Sequence, residues 1–179
     1  KVGQKHTAAA RYATGMRHTT SLMAHPVTGT LFQVQHGRDQ LDTLWPKLFT
    51  AQQNGDLPAE EMHVVKEGAN WGWPYCYFDG AQKKLVLAPE YGGDGTKPGD
   101  CGNKAAPALT FPGHWAPMAT AFYSGTQFPA AFRGGLFVSF HGSWNRAPAP
   151  QEGFRVVFAP FQGGKAKGTY ETFAIPTAG

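Results

Sequence analysis

The sequence predicts an all-β, loop-rich fold. Gly 23 and Pro 14 among 179 residues exceed average turn-former usage. Charged residues are only 16%, where soluble proteins average roughly a quarter. Strand-like runs are many and short, and Gly, Pro, Asn or Asp separates them, the spacing of a sandwich, barrel or propeller. Phe 13, Trp 5 and Tyr 6 can build a core, which argues against disorder. The length suits one domain over residues 1–179.

In chain order, the first strand signal is Leu31–Gln35. A short helix follows around Thr43–Gln52, with Leu44, Trp45 and Leu48 facing inward. Further strands fall at Glu61–Lys66, Lys84–Leu87, Ala119–Tyr123, Leu136–Phe140, Phe154–Phe158 and Tyr170–Ile175. An internal repeat favours a propeller. Gly29–Gly37 and Gly134–Gly142 both read G-x-L-F-x-x-x-H-G. At ordinary blade lengths the copies would lie about two blades apart, with both His-Gly turns at one end of the central channel.

Several functions are excluded or unsupported. The net charge of +4 is scattered, so no nucleic-acid arm is expected. No apolar stretch approaches about 18 residues, so no transmembrane helix is expected. No signal peptide opens the chain, and both ends read as cuts through a longer protein. Dinucleotide and P-loop motifs are absent, and no G-x-S-x-G elbow occurs. Ser143 is therefore read as a turn residue. Cys76 and Cys101 form no CxxC pair, which argues against zinc and for one disulfide in an oxidising compartment.

Among carboxylates, Glu60 and Glu61 read as a solvated strand face. Asp79, Glu90, Asp94 and Asp100 cluster around the cysteines, where a calcium loop competes with a solvated acidic one. The basic set says more. Arg17-His18, His36-Gly37-Arg38-Asp39 and His141-Gly142-Ser143-Trp144-Asn145-Arg146 all lie in turns at strand ends. Arg offers fork-shaped carboxylate recognition, glycine lets main chain approach a ligand, and Trp offers a flat face. Together they suit a planar polyanion. The cluster Asn70-Trp71-Gly72-Trp73-Pro74-Tyr75 could stack sugar rings or pack the outside of a blade.

These segments, with Tyr12–His18, Gln35–Leu41, Leu57–Glu61 and Asn70–Pro74 in order, resemble the soluble quinoprotein sugar dehydrogenases of the L-sorbosone and glucose dehydrogenase type. The similarity runs roughly from Ala10 to Phe161. It implies a six-bladed β-propeller that binds pyrroloquinoline quinone (PQQ) and calcium and oxidises an aldose or sugar aldehyde by hydride transfer to the quinone. It implies cofactor contacts from Arg17, His18, Arg38, His141, Trp144, Asn145 and Arg146, and calcium held by the carbonyls of Gly37 and Arg38. Two positions depart from the glucose dehydrogenases: His18 replaces Asn, and Arg38 replaces Pro. The family's chain is about double in length, and its catalytic base lies upstream of the matching segment. No catalytic residue is therefore named here, and about half of a propeller is expected. The chain would be a fragment, a half-propeller closing as a homodimer, or a non-catalytic carbohydrate-binding or scaffold module. The expected partner is a small sugar, with no nucleic acid or membrane, and the expected location is periplasmic or secreted.

Overall fold

A computed structural model describes residues 11–176. Its twelve strands are β1 (His18–Ala24), β2 (Leu31–His36), β3 (Glu60–Val65), β4 (Cys76–Asp79), β5 (Lys84–Leu87), β6 (Leu109–Phe111), β7 (Pro117–Phe122), β8 (Leu136–His141), β9 (Phe154–Ala159), β10 (Phe161–Gln162), β11 (Lys165–Ala166) and β12 (Glu171–Ala174). Two four-stranded antiparallel sheets dominate, ordered β1-β2-β3-β6 and β7-β8-β9-β12. Each is an up-and-down meander, the form of a propeller blade.

The inner strands β1 and β7 lie side by side. Thr20 Oγ1 donates to the Pro117 carbonyl at 2.7 Å, and the hydroxyls of Ser21 and Thr120 meet at 2.7 Å. Further along, the Phe122 amide donates to Met23 Sδ at 3.4 Å. Residue numbers rise together through these contacts, so β1 and β7 run parallel, as inner strands around a channel must. Alternation then builds the seam between the blades. Phe32, Val34, Met62, Leu109 and Phe111 from the first blade meet Leu136, Val138, Phe140, Val157 and Ala159 from the second.

The repeat supplies β2 and β8, the second strand of each blade. The copies sit in neighbouring blades rather than two blades apart. An insertion carrying the β4–β5 hairpin between β3 and β6 accounts for the extra chain. Cys76 and Cys101 form the expected disulfide within it.

The expected helix is broken into α1 (Leu41–Leu44) and α2 (Ala51–Asp56). Pro46 between them lacks the amide that would continue the first helix. Thr50 and Gln53 form a reciprocal capping box that starts the second. Leu44 and Leu48 turn outward, and Leu41 and Phe49 take the core positions instead. Glu60 and Glu61 are buried, not solvated. Adjacent strand residues face opposite ways, so Glu60 enters the inter-blade seam and Glu61 the far face of the first blade.

Candidate functional site

Register places the repeat's histidines at one end of the blades. His18 pairs with His36 across β1 and β2, and His141 ends β8 beside the start of β7. The His18 and His36 rings lie 4.8 Å apart, and those of His36 and His141 6.1 Å apart. His36 Nε2 donates to the Pro117 carbonyl at 2.8 Å. Burial lowers the His36 pKa, and the neighbouring His18, His141 and Arg17 lower it further against the hydrogen bond to Pro117. An imidazole surface therefore forms at this channel mouth, as the repeat predicts.

Arg17 belongs to the same surface. Its backbone amide donates to Gln35 Oε1 at 2.8 Å. Its guanidinium donates to the Gly37 carbonyl at 2.6 Å and to Asp39 at 3.5 Å, and it lies over the Trp73 ring at 5.6 Å. Trp144 extends from a short 3-10 turn with 70% of its surface exposed. Ser143 caps that turn by accepting the Asn145 amide, so the turn reading of Ser143 holds. Asn145 Nδ2 in turn donates to Asp39 at 2.8 Å.

Arg38 and Arg146 depart from the expectation of ligand-facing side chains. Both are buried. Arg38 makes a bidentate pair with Glu90 at 2.6 and 2.7 Å. Arg146 clamps the carbonyls of Gly55, Gly113 and Pro150 together with Asp56. An arginine fork can serve several acceptors at once, and these two hold loops in place.

The acidic calcium loop is likewise dispersed. Asp79 accepts from Ala81, Gln82 and the Gln82 side chain. Asp94 accepts the amides of Thr96 and Lys97, and Asp100 pairs with Lys104. Among the described residues no group of three or more His, Cys, Asp or Glu is placed to hold a metal. The aromatic cluster splits three ways: Trp71 is buried against His63, Trp73 underlies Arg17, and Tyr75 is exposed beside Tyr91.

Sequence reasoning did not find the hub that orders this mouth. Asp39 gathers Arg17, Asn145 and His114, whose Nδ1 lies 3.4 Å away. His114 Nε2 donates to the Asn54 carbonyl at 2.7 Å. Burial opposes charge on His114, but its bonds to Asp39 and Asn54 outweigh it and raise the pKa. Asp39 is lowered, first by the His114 hydrogen bond. Beside them Glu60 is 2% exposed, and burial pushes it up to about 7 despite two amide donors. The available signal was His114 in a Gly-His-Trp-Ala-Pro turn, far in sequence from Asp39.

The TrAA12-like family model matches residues 3–175. A pyrroloquinoline quinone-dependent pyranose dehydrogenase of Coprinopsis cinerea is 31% identical over 119 residues, covering 59% of this chain and 15% of that protein. An uncharacterized protein of Borreliella burgdorferi is 28% identical over 137 residues, covering 75% of this chain and 31% of that protein. The calcium structure of the Trichoderma reesei family AA12 enzyme superposes with a TM-score of 0.64 at 22% identity, over 87% of this chain and 40% of that one. The holo PQQ domain of the Coprinopsis cinerea pyranose dehydrogenase gives 0.60 at 20% identity, over 91% of this chain and 41% of that one. The two blades are thus β-propeller blades, and the chain spans well under half of those solved chains. With the family model running through both blades and the insertion within the first, the chain belongs to the TrAA12-like family.

Proposed function

We propose that the chain is part of a PQQ- and calcium-dependent dehydrogenase that oxidises an aldose or sugar aldehyde in the periplasm or outside the cell. The observation that carries this reading is the convergence of Arg17, His18, His36 and His141 on one mouth, beside the exposed indole of Trp144. PQQ is a flat tricarboxylate. A guanidinium, several imidazoles and a flat aromatic face fit its charge and shape. Arg17, His18, His141, Trp144 and Asn145 would hold it. Arg38 and Arg146 would act behind them by fixing the Gly37 and Trp144 turns. When bound, the quinone accepts hydride and a calcium ion polarises its carbonyl.

The family resemblance would give calcium to the main-chain carbonyls of Gly37 and Arg38, and the described side chains form no group of three or more His, Cys, Asp or Glu to hold it instead. In this structure the Gly37 carbonyl receives the Arg17 guanidinium at 2.6 Å. The chain's own residues bind and orient in this reading. The proton-accepting base would come from outside this segment, from the remainder of a longer protein or a second copy. The Cys76–Cys101 disulfide supports an oxidising compartment, and no helix among the described residues is long and apolar enough to cross a membrane.

A second reading, a carbohydrate-binding or scaffold module without redox activity, draws on the exposed Tyr75–Tyr91 pair. Native mass spectrometry with added PQQ and calcium separates the two. Retention of PQQ supports the dehydrogenase reading. Sugar binding without PQQ supports the module. In a PQQ titration, Arg17→Ala is expected to weaken binding by about 1.5–3 kcal/mol, the range for a charged hydrogen bond. Unchanged affinity would remove Arg17 from the site.

A further inference from the structure

Glu60 uses both carboxylate oxygens to join two loops from different blades. The Gly37 amide, in the turn after β2, donates to Oε2 at 2.9 Å. The Ala116 amide, in the segment entering β7, donates to Oε1 at 3.2 Å. Both segments have tightly specified backbone shapes. A Cβ at Gly37 would stand 3.0 Å from Pro58 and 3.1 Å from the Ala59 carbonyl. Ala116 has φ 55 and His114 φ 60, in the left-handed region that non-glycine residues rarely adopt.

Both histidines of the repeat hang from these loops. The Ala116 carbonyl receives the His141 amide at 3.2 Å. The next carbonyl, Pro117, receives His36 Nε2 at 2.8 Å. Gly37 presents its own carbonyl to Arg17 at 2.6 Å. We infer that Glu60 is a positioning residue for the mouth: by holding the Gly37 and Ala116 amides it sets how far apart His36, His141 and Arg17 stand. The inference rests on the mouth being the ligand site.

Its test needs no ligand for its main readouts. In the full chain, Glu60→Gln keeps the side-chain volume but turns an NH2 group toward one of the two amides. Hydrogen exchange at Gly37 and Ala116 is expected to speed by about tenfold, the equivalent of one hydrogen bond. The imidazole NMR signals of His36 and His141 should move. Glu60→Asp keeps both acceptor oxygens and should recover part of each effect. Asp79→Asn, an equally buried carboxylate on the β4–β5 hairpin, should lower Tm and leave both readouts unchanged.

In wild-type protein the Gly37 and Ala116 amides should exchange slowly although they lie in loops. This check stands even where the variants do not fold, and fast exchange there overturns the inference. So does a folded Glu60→Gln with unmoved histidine signals. With PQQ and calcium added, Glu60→Gln should raise the PQQ Kd about tenfold. A wild-type chain that binds no PQQ overturns PQQ binding by this segment alone, while the exchange and NMR readouts still decide the role of Glu60.

Discussion

The two blades meet through one apolar seam, yet their outward faces are built from opposite chemistry. On the first blade that face is polar and closed. Gln33, Gln35, Glu61 and His63 are all buried there. His63 Nε2 donates to Glu61 at 2.9 Å, Gln35 donates to Glu61 at 3.1 Å, and Gln33 contacts His63 Nδ1. Trp71 from the insertion stacks over His63 and covers the network. On the second blade the outward face is aromatic: Phe137 sits among Tyr123, Phe128, Phe132, Phe158 and Phe173.

The repeat explains the relation. Phe32 and Phe137 hold the same place in the two copies, so both side chains point the same way around the blades. For Phe32 that direction is the seam, where it is 2% exposed against Phe122 and Phe161. For Phe137 it is the outward side, where it is half-buried. The aromatic face is thus the seam's counterpart without a second wall among the described residues. One sequence pattern specifies a strand and its facing, and the neighbour decides the burial.

The largest expected effect would test this difference directly. Phe32→Ala should cost about 3–5 kcal/mol, as for a phenylalanine lost from a closed core. Phe137→Ala should cost clearly less in a urea titration of the same chain. Equal losses would show the outward face to be as closed as the seam.

Next comes the insertion that covers the first blade. Removing the Cys76–Cys101 crosslink, which spans 25 residues, should cost about 3 kcal/mol. Loss of protection should be strongest at His63 and Gln35 by hydrogen exchange and absent around Phe137. A uniform loss would mean that the cover is not specific to the first blade.

A smaller effect belongs to the mouth that both blades share. The raised His114 pKa contributes stability fully below 6.5, lost as pH rises through the folded value. The lowered Asp39 pKa contributes above 3.8, lost as pH falls through its folded value. Glu60 acts in the same direction as His114: between 4.5 and about 7 the unfolded chain releases this proton first, so stability declines as pH rises. The lowered His36 pKa opposes them, adding stability as pH rises toward 6.5, but Glu60 and His114 together should still make denaturation midpoints fall from about pH 5 to about pH 8. His114→Gln should flatten the part of that slope above 6.5, and an unaltered slope would remove His114 from the account.

The smallest stability effect is expected at Trp144. Exposed as it is, Trp144→Ala should change unfolding by less than about 0.5 kcal/mol while weakening PQQ binding. A large stability loss would identify the indole as packing rather than binding surface.

Legibility in the sequence follows the range of the interactions involved. The strands β2, β5, β8 and β9 were readable because alternation and flanking glycines are local signals. β1 was missed, since His-Thr-Thr-Ser-Leu-Met-Ala alternates weakly, and β4 lay hidden in turn-rich sequence. The His-Gly turns pointed correctly to one mouth because a repeat carries its own geometry. Glu60 and Glu61 misled, because two adjacent charges look solvated until β6 closes the sheet and Trp71 covers its back. Arg38 and Arg146 were readable as arginines near a site, but their acceptors at Glu90, Gly55 and Gly113 are distant in sequence. The same distance concealed the meeting of Asp39 with His114.

The late arrival of β6 has a kinetic consequence. The first blade is complete only when Glu60 pairs with Phe111, on the far side of the whole insertion. Closing a long flexible loop costs entropy that grows slowly with its length, about 0.6 kcal/mol per doubling. The Cys76–Cys101 crosslink removes 25 residues from the path that must be gathered. An oxidised chain has less slack to search when its fourth strand finds its edge, so the first blade should assemble faster after the cysteines have joined than before.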